Sequence, residues 1–305
     1  MGFRFQARAR LVTARSIDFT SGDKLRVLGT VDLRDVESEF GSGYFYSHRV
    51  DLHSELMGLA MGEEGMGKPA VVRNKCEVVG YNTEKGSVIL ANGTTLTGDL
   101  IVGADGIHSS AVKSVIGYEN PAVQTGIACF RCLIPVKEIV DDPECAFSHG
   151  RDGGQTTKNQ VLNVAFMCPD RKELKATEGW NLSVPNETFL NELEDFHPSL
   201  RHLLSKGKDV RLWKLLFRAP LPTWHLGKLV LIGDAAHPML PYQGQGGAQA
   251  IEDGHALGIL LSDLHSPTST PKPSQPSSKP LKKFAKIARA PSKCFPMLES
   301  TRGKR

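Results

Sequence analysis

Two runs of apolar residues, each ending at a glycine and followed by an aspartate, are the clearest pattern along this chain. Leu229 to Ile232 are four consecutive apolar residues and lead directly into Gly233-Asp234. Leu100 to Val102 form a second run, which leads into Gly103-Ala104-Asp105-Gly106. Short continuous apolar runs are typical of strands that are buried on both faces of a parallel sheet. We therefore predict two buried strands, each with an aspartate just beyond its carboxyl end.

The pattern elsewhere predicts a mixture of helices and strands. Apolar residues at 52, 56 and 59 predict a helix that starts near His48, and Ser109 or Ser110 is expected to cap a helix that runs through Val115. Residues 76–81 and 87–90 are expected to form a hairpin, and Asn92-Gly93 a tight turn. Further strands are expected at 126–135, 161–167 and 211–217, and a further helix at 186–206. The strand and helix signals at 121–220 indicate an α+β region inserted between the two aspartate-bearing strands.

The segment that follows Asp234 has the composition of a ligand-binding loop. Two prolines and three glycines break regular structure there, and helical spacing resumes at Ala248-Gln249-Ala250-Ile251-Glu252. A carboxylate at a strand end accepts hydrogen bonds from sugar hydroxyls, whereas the N–H groups at a helix N-terminus face an anion. The pattern therefore indicates a site for a polyol and a phosphate, as in a nucleotide cofactor.

Charge and composition exclude several other classes of protein. The net charge of +4 arises from 37 basic and 33 acidic residues, a balance that argues against nucleic-acid binding. Ten of the fifteen residues at 266–280 are proline or serine, so we expect a disordered linker at 265–280 and a basic, solvated tail at 281–305. Neither a signal peptide nor an apolar run of membrane-spanning length is apparent, which predicts a soluble, intracellular protein of the cytoplasm.

The six cysteines are expected to be reduced thiols. Cys129-x2-Cys132 and Cys145-x3-His149 have the spacing of a small zinc finger, but the intervening segment contains two prolines and no helix leading to His149. We therefore interpret Cys129 and Cys132 as small core residues of a strand and predict no metal site.

Together, the two aspartate motifs resemble those of the FAD-dependent aromatic hydroxylases, the group A flavoprotein monooxygenases similar to p-hydroxybenzoate and salicylate hydroxylases. The resemblance covers residues 45–264 and includes His48-Arg49-x-x-Leu52 before the motifs and Pro-x-x-Gly-Gln-Gly after them. It implies FAD as the cofactor, NAD(P)H as the reducing cosubstrate and a small aromatic or phenolic substrate. In such enzymes a flavin C4a-hydroperoxide transfers one oxygen atom of O2 to the ring, while the protein supplies positioning and a dry pocket.

The resemblance also implies roles for individual residues. Asp234 would accept a hydrogen bond from a ribityl hydroxyl, and Arg49 would reach the ribityl–phosphate region. Asp105 belongs to the motif associated with both FAD and NADPH, and Arg131, in Phe130-Arg131-Cys132-x-Ile134-Pro135, would face the substrate as the candidate catalytic residue. His237 is interpreted as structural. The loop beside the flavin ring would consist of Pro241, Gly244, Gln245, Gly246 and Gly247.

The chain also departs from the family pattern. No Gly-x-Gly-x-x-Gly occurs in residues 1–46, and Gln155 to Gln160 stand where relatives carry a Tyr-Pro strand. We therefore expect an α/β fold: a partial Rossmann-like FAD-binding domain without its N-terminal βαβ unit, plus an inserted α+β substrate domain. The expected boundaries are 1–120 and 221–264 for the FAD-binding domain and 121–220 for the substrate-binding region.

Three functional hypotheses follow. The first is an FAD-dependent monooxygenase of the aromatic hydroxylase type. The second is a truncated, non-catalytic family member or partner subunit that does not bind FAD independently. The third is another flavin or nucleotide enzyme, such as a reductase or a halogenase. The sequence does not decide the substrate, the choice between NADH and NADPH, or the oligomeric state.

Overall fold

A computed structural model describes residues 3–64, 67–149, 161–170 and 181–262. The predicted linker at 265–280, the basic tail at 281–305 and the Gln155–Gln160 segment lie outside these ranges. The chain divides into two compact units. One comprises the residues up to Asn74 together with Gly126–Lys214, and the other comprises Lys75–Thr125 together with the residues from Leu215 onward.

The first unit begins with short elements and one longer helix. They are α1 (Phe3–Arg8), β1 (Val12–Thr13), β2 (Ser16–Thr20), β3 (Val27–Asp32), α2 (Val36–Phe40), β4 (Phe45–Tyr46) and α3 (Arg49–Met61). Strands β2 and β3 form an antiparallel hairpin, and β1 pairs with β4. The helix predicted to start near His48 is confirmed as α3, but none of its residues is fully buried.

The larger part of this unit is a four-stranded sheet with helices on one face. The elements are β9 (Val123–Pro135), β10 (Val161–Pro169), β11 (Asn181–Ser183), α5 (Asn186–Asn191), α6 (Pro198–Ser205) and β12 (Lys208–Phe217), in the strand order β10-β9-β12-β11. Short 3-10 turns occupy Val136–Glu138 and Pro143–His149. The core lies between the sheet and the helices, where Phe130 stacks on Phe189 with ring centroids 5.1 Å apart. The strands predicted at 126–135, 161–167 and 211–217 are thus confirmed.

The single helix predicted at 186–206 is wrong, because the chain forms two helices there. Pro198 is the first residue of α6, and the residue before a proline is disfavoured in helical geometry. His197 adopts an extended conformation and its Nδ1 atom accepts a hydrogen bond from the Ser199 N–H at 3.2 Å. The proline therefore begins the second helix, whereas the first ends at Asn191 and a turn segment occupies 192–196.

In the part of the second unit that the structure describes, there are two three-stranded sheets and two α-helices. The elements are β5 (Val78–Asn82), β6 (Ser87–Leu90), β7 (Thr95–Thr97), β8 (Ile101–Gly103), α4 (Ala111–Ile116), β13 (His225–Leu226), β14 (Leu229–Leu231) and α7 (Gly246–Ser262), with 3-10 turns at Gly233–Ala235 and Pro241–Gln243. Strands β5, β6 and β7 form an antiparallel meander, which confirms the predicted hairpin and the turn at Asn92-Gly93.

The two predicted aspartate-bearing strands are neighbours in one sheet. β8 pairs with β14 in parallel, with Gly103 opposite Leu231, and β13 pairs with the other edge of β14. Leu229, Val230 and Leu231 are all fully buried. A Cβ atom at Gly103 would lie 2.9 Å from Leu231 Cδ2 and 3.0 Å from Ala111 Cβ, so glycine allows β14 and α4 to pack closely against this strand.

Candidate functional site

The candidate site of the second unit begins where the parallel strands β8 and β14 end. Because parallel strands end at the same edge of a sheet, Asp105 and Asp234 follow neighbouring strand ends. Asp234 lies in the 3-10 turn Gly233–Ala235 and is exposed. No residue in the described part of the chain donates a hydrogen bond to its carboxylate. Partial burial raises the pKa of Asp234, against the lowering effect of the positive charges on His237 and Arg218.

Asp105 already has partners within the protein. Its Oδ2 atom accepts hydrogen bonds from the Ser110 N–H at 2.8 Å, the Ser110 hydroxyl at 3.2 Å and the Ala111 N–H at 3.4 Å. The prediction that Ser109 or Ser110 caps this helix is confirmed in position, because Ser110 is the N-cap residue. The side-chain oxygen that accepts from the exposed N–H groups at the start of α4 is that of Asp105. The carboxylate therefore ties the end of β8 to the start of α4.

The glycine loop leads into α7 as the sequence predicts. Pro241 starts a 3-10 turn, and Gly244 adopts left-handed geometry with φ +64°. The carbonyl of Gln245 accepts the first intrahelical hydrogen bond, from the Gln249 N–H at 2.9 Å. The N–H groups of Gly246 and Gly247 precede this bond, so they have no partner within the helix. A Cβ atom at Gly247 would meet no atom within 4 Å, which leaves space above the helix start.

A buried arginine that the sequence analysis missed joins the two strand-end loops. Arg218 is only 4% exposed. It donates one hydrogen bond to the Ala235 carbonyl at 3.1 Å and another to the Ile107 carbonyl. Burial lowers the pKa of Arg218, although the negative charges of Asp105 and Asp234 oppose this effect. No local pattern marks this position, since Arg218 lies at the end of β12 and is followed by an ordinary Ala-Pro pair.

A second missed residue is Asp253, which is buried on α7. Its Oδ2 atom accepts hydrogen bonds from the Gly233 N–H at 2.8 Å and from His237 Nε2 at 2.6 Å. The interpretation of His237 as a residue held within the protein is consistent with this contact. The sequence did contain a signal for Asp253. Ala250, Asp253 and Leu257 have the three- and four-residue spacing of one helix face, and a carboxylate on a buried face needs a hydrogen-bond partner.

A polar cavity of about 430 Å³ adjoins the Asp105 segment. Its lining includes His108, Ser109, Lys113 and Arg218. The Ser109 hydroxyl and the Arg218 Nε atom are buried, and neither has a hydrogen-bond partner among the described residues. Buried polar groups normally have partners, so these two donors indicate that the cavity accommodates a polar ligand or water.

The two predicted arginines lie in the first unit. Arg49 is the first residue of α3 and is exposed, and its guanidinium forms no ion pair within the described ranges. Arg131 lies in β9 opposite Ala165 of β10. Its neighbours Phe130 and Cys132 point into the core, so Arg131 and Leu133 project from the sheet face that carries no helix. The cysteines interpreted as core residues of a strand, Cys129 and Cys132, are confirmed as buried.

Cys145, the third cysteine of the finger-like spacing, lies beside an ion-pair network. Ligand atoms of Asp142, Cys145 and His202 lie within 4.8 Å of one another. His202 Nε2 and Lys206 Nζ each lie 2.8 Å from Asp142 Oδ2, so this carboxylate oxygen already has two partners. The hydrogen bonds from Lys206 and His202 lower the pKa of Asp142 strongly. This network joins the 3-10 turn Pro143–His149 to α6.

Comparisons with known proteins agree with this description. Residues 67–268 match the family model described as an FAD binding domain. The chain is 40% identical over 275 residues to the FAD-dependent monooxygenase phomE of Diaporthe leptostromiformis, covering 85% of this chain and 72% of phomE. It is 30% identical over 252 residues to 6-hydroxynicotinate 3-monooxygenase of Pseudomonas fluorescens, covering 78% of this chain and 62% of that protein. A solved salicylate hydroxylase substrate complex is similar in fold, with a TM-score of 0.64 and 23% identity over 82% of this chain and 64% of that one.

The chain therefore belongs to the FAD-dependent monooxygenases, and its α/β fold with a Rossmann-like FAD domain is confirmed. FAD is the cofactor of this family. The chain spans between three fifths and three quarters of the length of the three proteins named above. Among the helices at 3–64, 67–149, 161–170 and 181–262, none combines the length and the apolar character needed to cross a membrane.

Proposed function

We propose that this chain binds FAD at the ends of β8 and β14 and hydroxylates a small aromatic substrate with O2 and NAD(P)H. The observation that carries the proposal is the exposed Asp234 carboxylate, which has no protein donor and lies in the turn that packs against α7. Carboxylates at such strand ends accept hydrogen bonds from cofactor hydroxyls. The described residues fit FAD. The Asp234 carboxylate is a free acceptor for its ribityl chain, and Gly246 and Gly247 provide free N–H groups for the polar edge of its ring.

Each group has a distinct role in this proposal. Asp234 accepts a hydrogen bond from a ribityl hydroxyl. The backbone from Pro241 to Gly247 lies beside the flavin, and the absence of side chains at Gly246 and Gly247 allows a close approach. Arg49 lies in the first unit, and its assignment to the phosphate region stays an expectation from the family resemblance. Asp105 fixes the end of β8 against the start of α4 through one carboxylate oxygen, and its other oxygen stays available as an acceptor. When bound, FAD supplies the redox chemistry with O2.

NAD(P)H is the proposed reductant, and the polar cavity beside Asp105 supports this choice. Arg218 brings positive charge to its lining, where Lys113 is paired with Glu119, and the Ser109 hydroxyl adds a buried donor without a partner among the described residues. The phosphate groups of a nicotinamide dinucleotide are anionic and accept such hydrogen bonds. The cavity does not distinguish NADH from NADPH.

Arg131 is the proposed substrate-binding residue of the first unit. Its exposed guanidinium has no partner among the described residues and lies next to Leu133 on the open sheet face. A cation beside apolar surface suits an aromatic ring that bears a carboxylate or phenolate. The names of the relatives support this substrate class, since they include a 6-hydroxynicotinate monooxygenase and a salicylate hydroxylase.

The cofactor proposal is tested by titrating the purified chain with FAD and following the flavin fluorescence. Saturable binding that Asp234→Asn weakens by about tenfold, the effect of one lost charge-assisted hydrogen bond, supports it. Lys85→Met, an exposed change on the same unit, is the control. Equal affinity of Asp234→Asn and the wild type would contradict the assignment. An absence of binding would favour the alternative of a non-catalytic family member or partner subunit.

The reaction is tested by NADH and NADPH oxidation under air, with hydroxylated product measured by chromatography. Oxidation that depends on an aromatic acid and yields hydroxylated product supports a hydroxylase, whereas oxidation without product indicates a reductase. Arg131→Met is expected to raise the KM for an aromatic carboxylate more than it lowers kcat, and Arg131→Lys to restore part of the affinity. Arg201→Met, at an exposed arginine of α6, is the matched control.

A further inference from the structure

One buried carboxylate connects the two parts of the proposed FAD site. Asp253 is 8% exposed and lies seven residues after Gly246, which is about 10 Å along α7. The same Oδ2 atom accepts the hydrogen bonds from the Gly233 N–H and from the His237 side chain. A buried carboxylate with two donors on one oxygen is strongly fixed, because each bond is charge-assisted.

The two donors lie on either side of Asp234. Gly233 precedes Asp234 directly and His237 follows it by three residues. The turn between them is closed by its own backbone, since the N–H groups of Ala236 and His237 both donate to the Gly233 carbonyl at 2.9 Å. Asp253 therefore holds both ends of a short turn, and the position of the Asp234 carboxylate follows from that of α7.

Charged side chains of both signs surround this turn. His237 contacts Asp253 through Nε2, lies against the Trp224 ring with centroids 5.0 Å apart, and is influenced by the charge of Asp234. Arg218 donates a hydrogen bond to the Ala235 carbonyl, and its charge interacts with those of Asp105 and Asp234. Two cations and three carboxylates thus surround the turn, and among them Asp253 makes direct bonds to both ends of it.

We propose that Asp253 is a positioning residue for the cofactor. By fixing Gly233 and His237, it sets the distance between the Asp234 carboxylate and the glycine-containing first turn of α7. The distance between the Asp234 carboxylate, which accepts from the ribityl chain, and the N–H groups at the start of α7 is then fixed before the flavin binds. This inference rests on the proposed function, but the hold of Asp253 on the turn is measurable without any cofactor.

The first test is amide hydrogen exchange of the cofactor-free chain. Asp253→Asn keeps the size and one acceptor oxygen but loses the negative charge, so exchange of the peptide that contains residues 229–240 is expected to rise about tenfold. Glu252→Gln is the matched control, because it makes the same change one residue earlier on the exposed side of α7. If exchange in Asp253→Asn equals that of the wild type and the control, the inference is wrong.

The second test measures FAD affinity in the same proteins, with circular dichroism to confirm that each is folded. Asp253→Asn is expected to raise the Kd about tenfold, because the buried Asp253 side chain holds the turn that carries Asp234, whereas Glu252→Gln leaves it unchanged. A normal Kd in Asp253→Asn together with a raised Kd in Asp234→Asn would overturn the positioning role and keep the proposed function. A normal Kd in Asp234→Asn would overturn the proposed function, and the exchange experiment would still decide whether Asp253 holds the turn.

Discussion

His237 Nε2 lies 2.6 Å from Asp253 Oδ2, and this contact joins the turn after β14 to the middle of α7. Burial by itself lowers the pKa of His237, but the hydrogen bond and the negative charge of Asp253 outweigh it, so the net pKa is raised. The imidazolium form is therefore favoured by folding.

We expect the stabilisation from His237 to be complete below the unfolded-state pKa of about 6.5 and to be lost as the pH rises through the higher folded-state pKa. The free energy of unfolding, measured by urea denaturation at a series of pH values, should fall over this window in the wild type. His237→Gln should flatten that part of the profile, and His53→Gln, at an exposed histidine of α3, should not. Parallel profiles for the wild type and His237→Gln would contradict the assignment.

Two glycines of the site are expected to respond oppositely to alanine. Gly233 has φ +56°, and a Cβ atom there would lie 3.3 Å from Ala250 Cβ. Gly233→Ala should therefore lower the free energy of unfolding by about 1–2 kcal/mol. Gly247 has ordinary helical geometry and open space, so Gly247→Ala should leave stability unchanged or raise it by about 0.5–1 kcal/mol.

Gly247→Ala should nevertheless weaken FAD binding, because its methyl group would occupy the space in which the cofactor approaches the backbone. Thermal denaturation and FAD titration of the same protein separate the two effects. Gly254→Ala is the matched control, since Gly254 is an exposed position of the same helix with no atom within 4 Å of the added methyl group. Equal FAD affinities for the two alanine variants would argue against a close approach of FAD to Gly247.

Arg218 is expected to be essential for the stability of the second unit. Arg218→Met removes two hydrogen bonds from a buried cation to the Ala235 and Ile107 carbonyls. We expect a loss of about 3 kcal/mol in the free energy of unfolding, the scale of two bonds to a charged group. Denaturant titration measures it, and Arg201→Met at an exposed site should lie within about 0.5 kcal/mol of the wild type. A similarly small loss for Arg218→Met would show that the loops do not depend on this bridge.

The elements that the sequence predicted correctly are those with a strong local signal. β8 and β14 were marked by apolar runs ending at glycine, and the β5–β6 hairpin and its following turn by alternation and Asn92-Gly93. The single helix at 186–206 was wrong because apolar residues continue through this segment, whereas the helical backbone ends at Asn191 and starts again at Pro198. Local signals thus identified seven of the fourteen strands in the described ranges.

The residues that hold the site together could not be predicted from such local signals. Asp105 and Asp234 stand at strand ends that the sequence marks, but Arg218 reaches Ile107 across 111 residues. Only the fold brings such groups together, since neither position has a periodic or turn signal of its own. Asp253 was predictable in part. Its position on a buried face of α7 follows from the spacing of apolar residues in the sequence, but its hydrogen-bond partners do not. The roles of Arg49 and Arg131 remain predictions.

The central claim is that Asp234 and the start of α7 hold FAD, and retention of flavin tests it most directly. The purified chain is incubated with excess FAD and passed through a gel-filtration column, and the flavin absorbance near about 450 nm is compared with the protein absorbance. We predict near-stoichiometric flavin in the wild type and in Glu252→Gln, and little or none in Asp234→Ala, because the retained cofactor depends on that acceptor. Equal retention by Asp234→Ala and the wild type, or no retention by the wild type, would contradict the account.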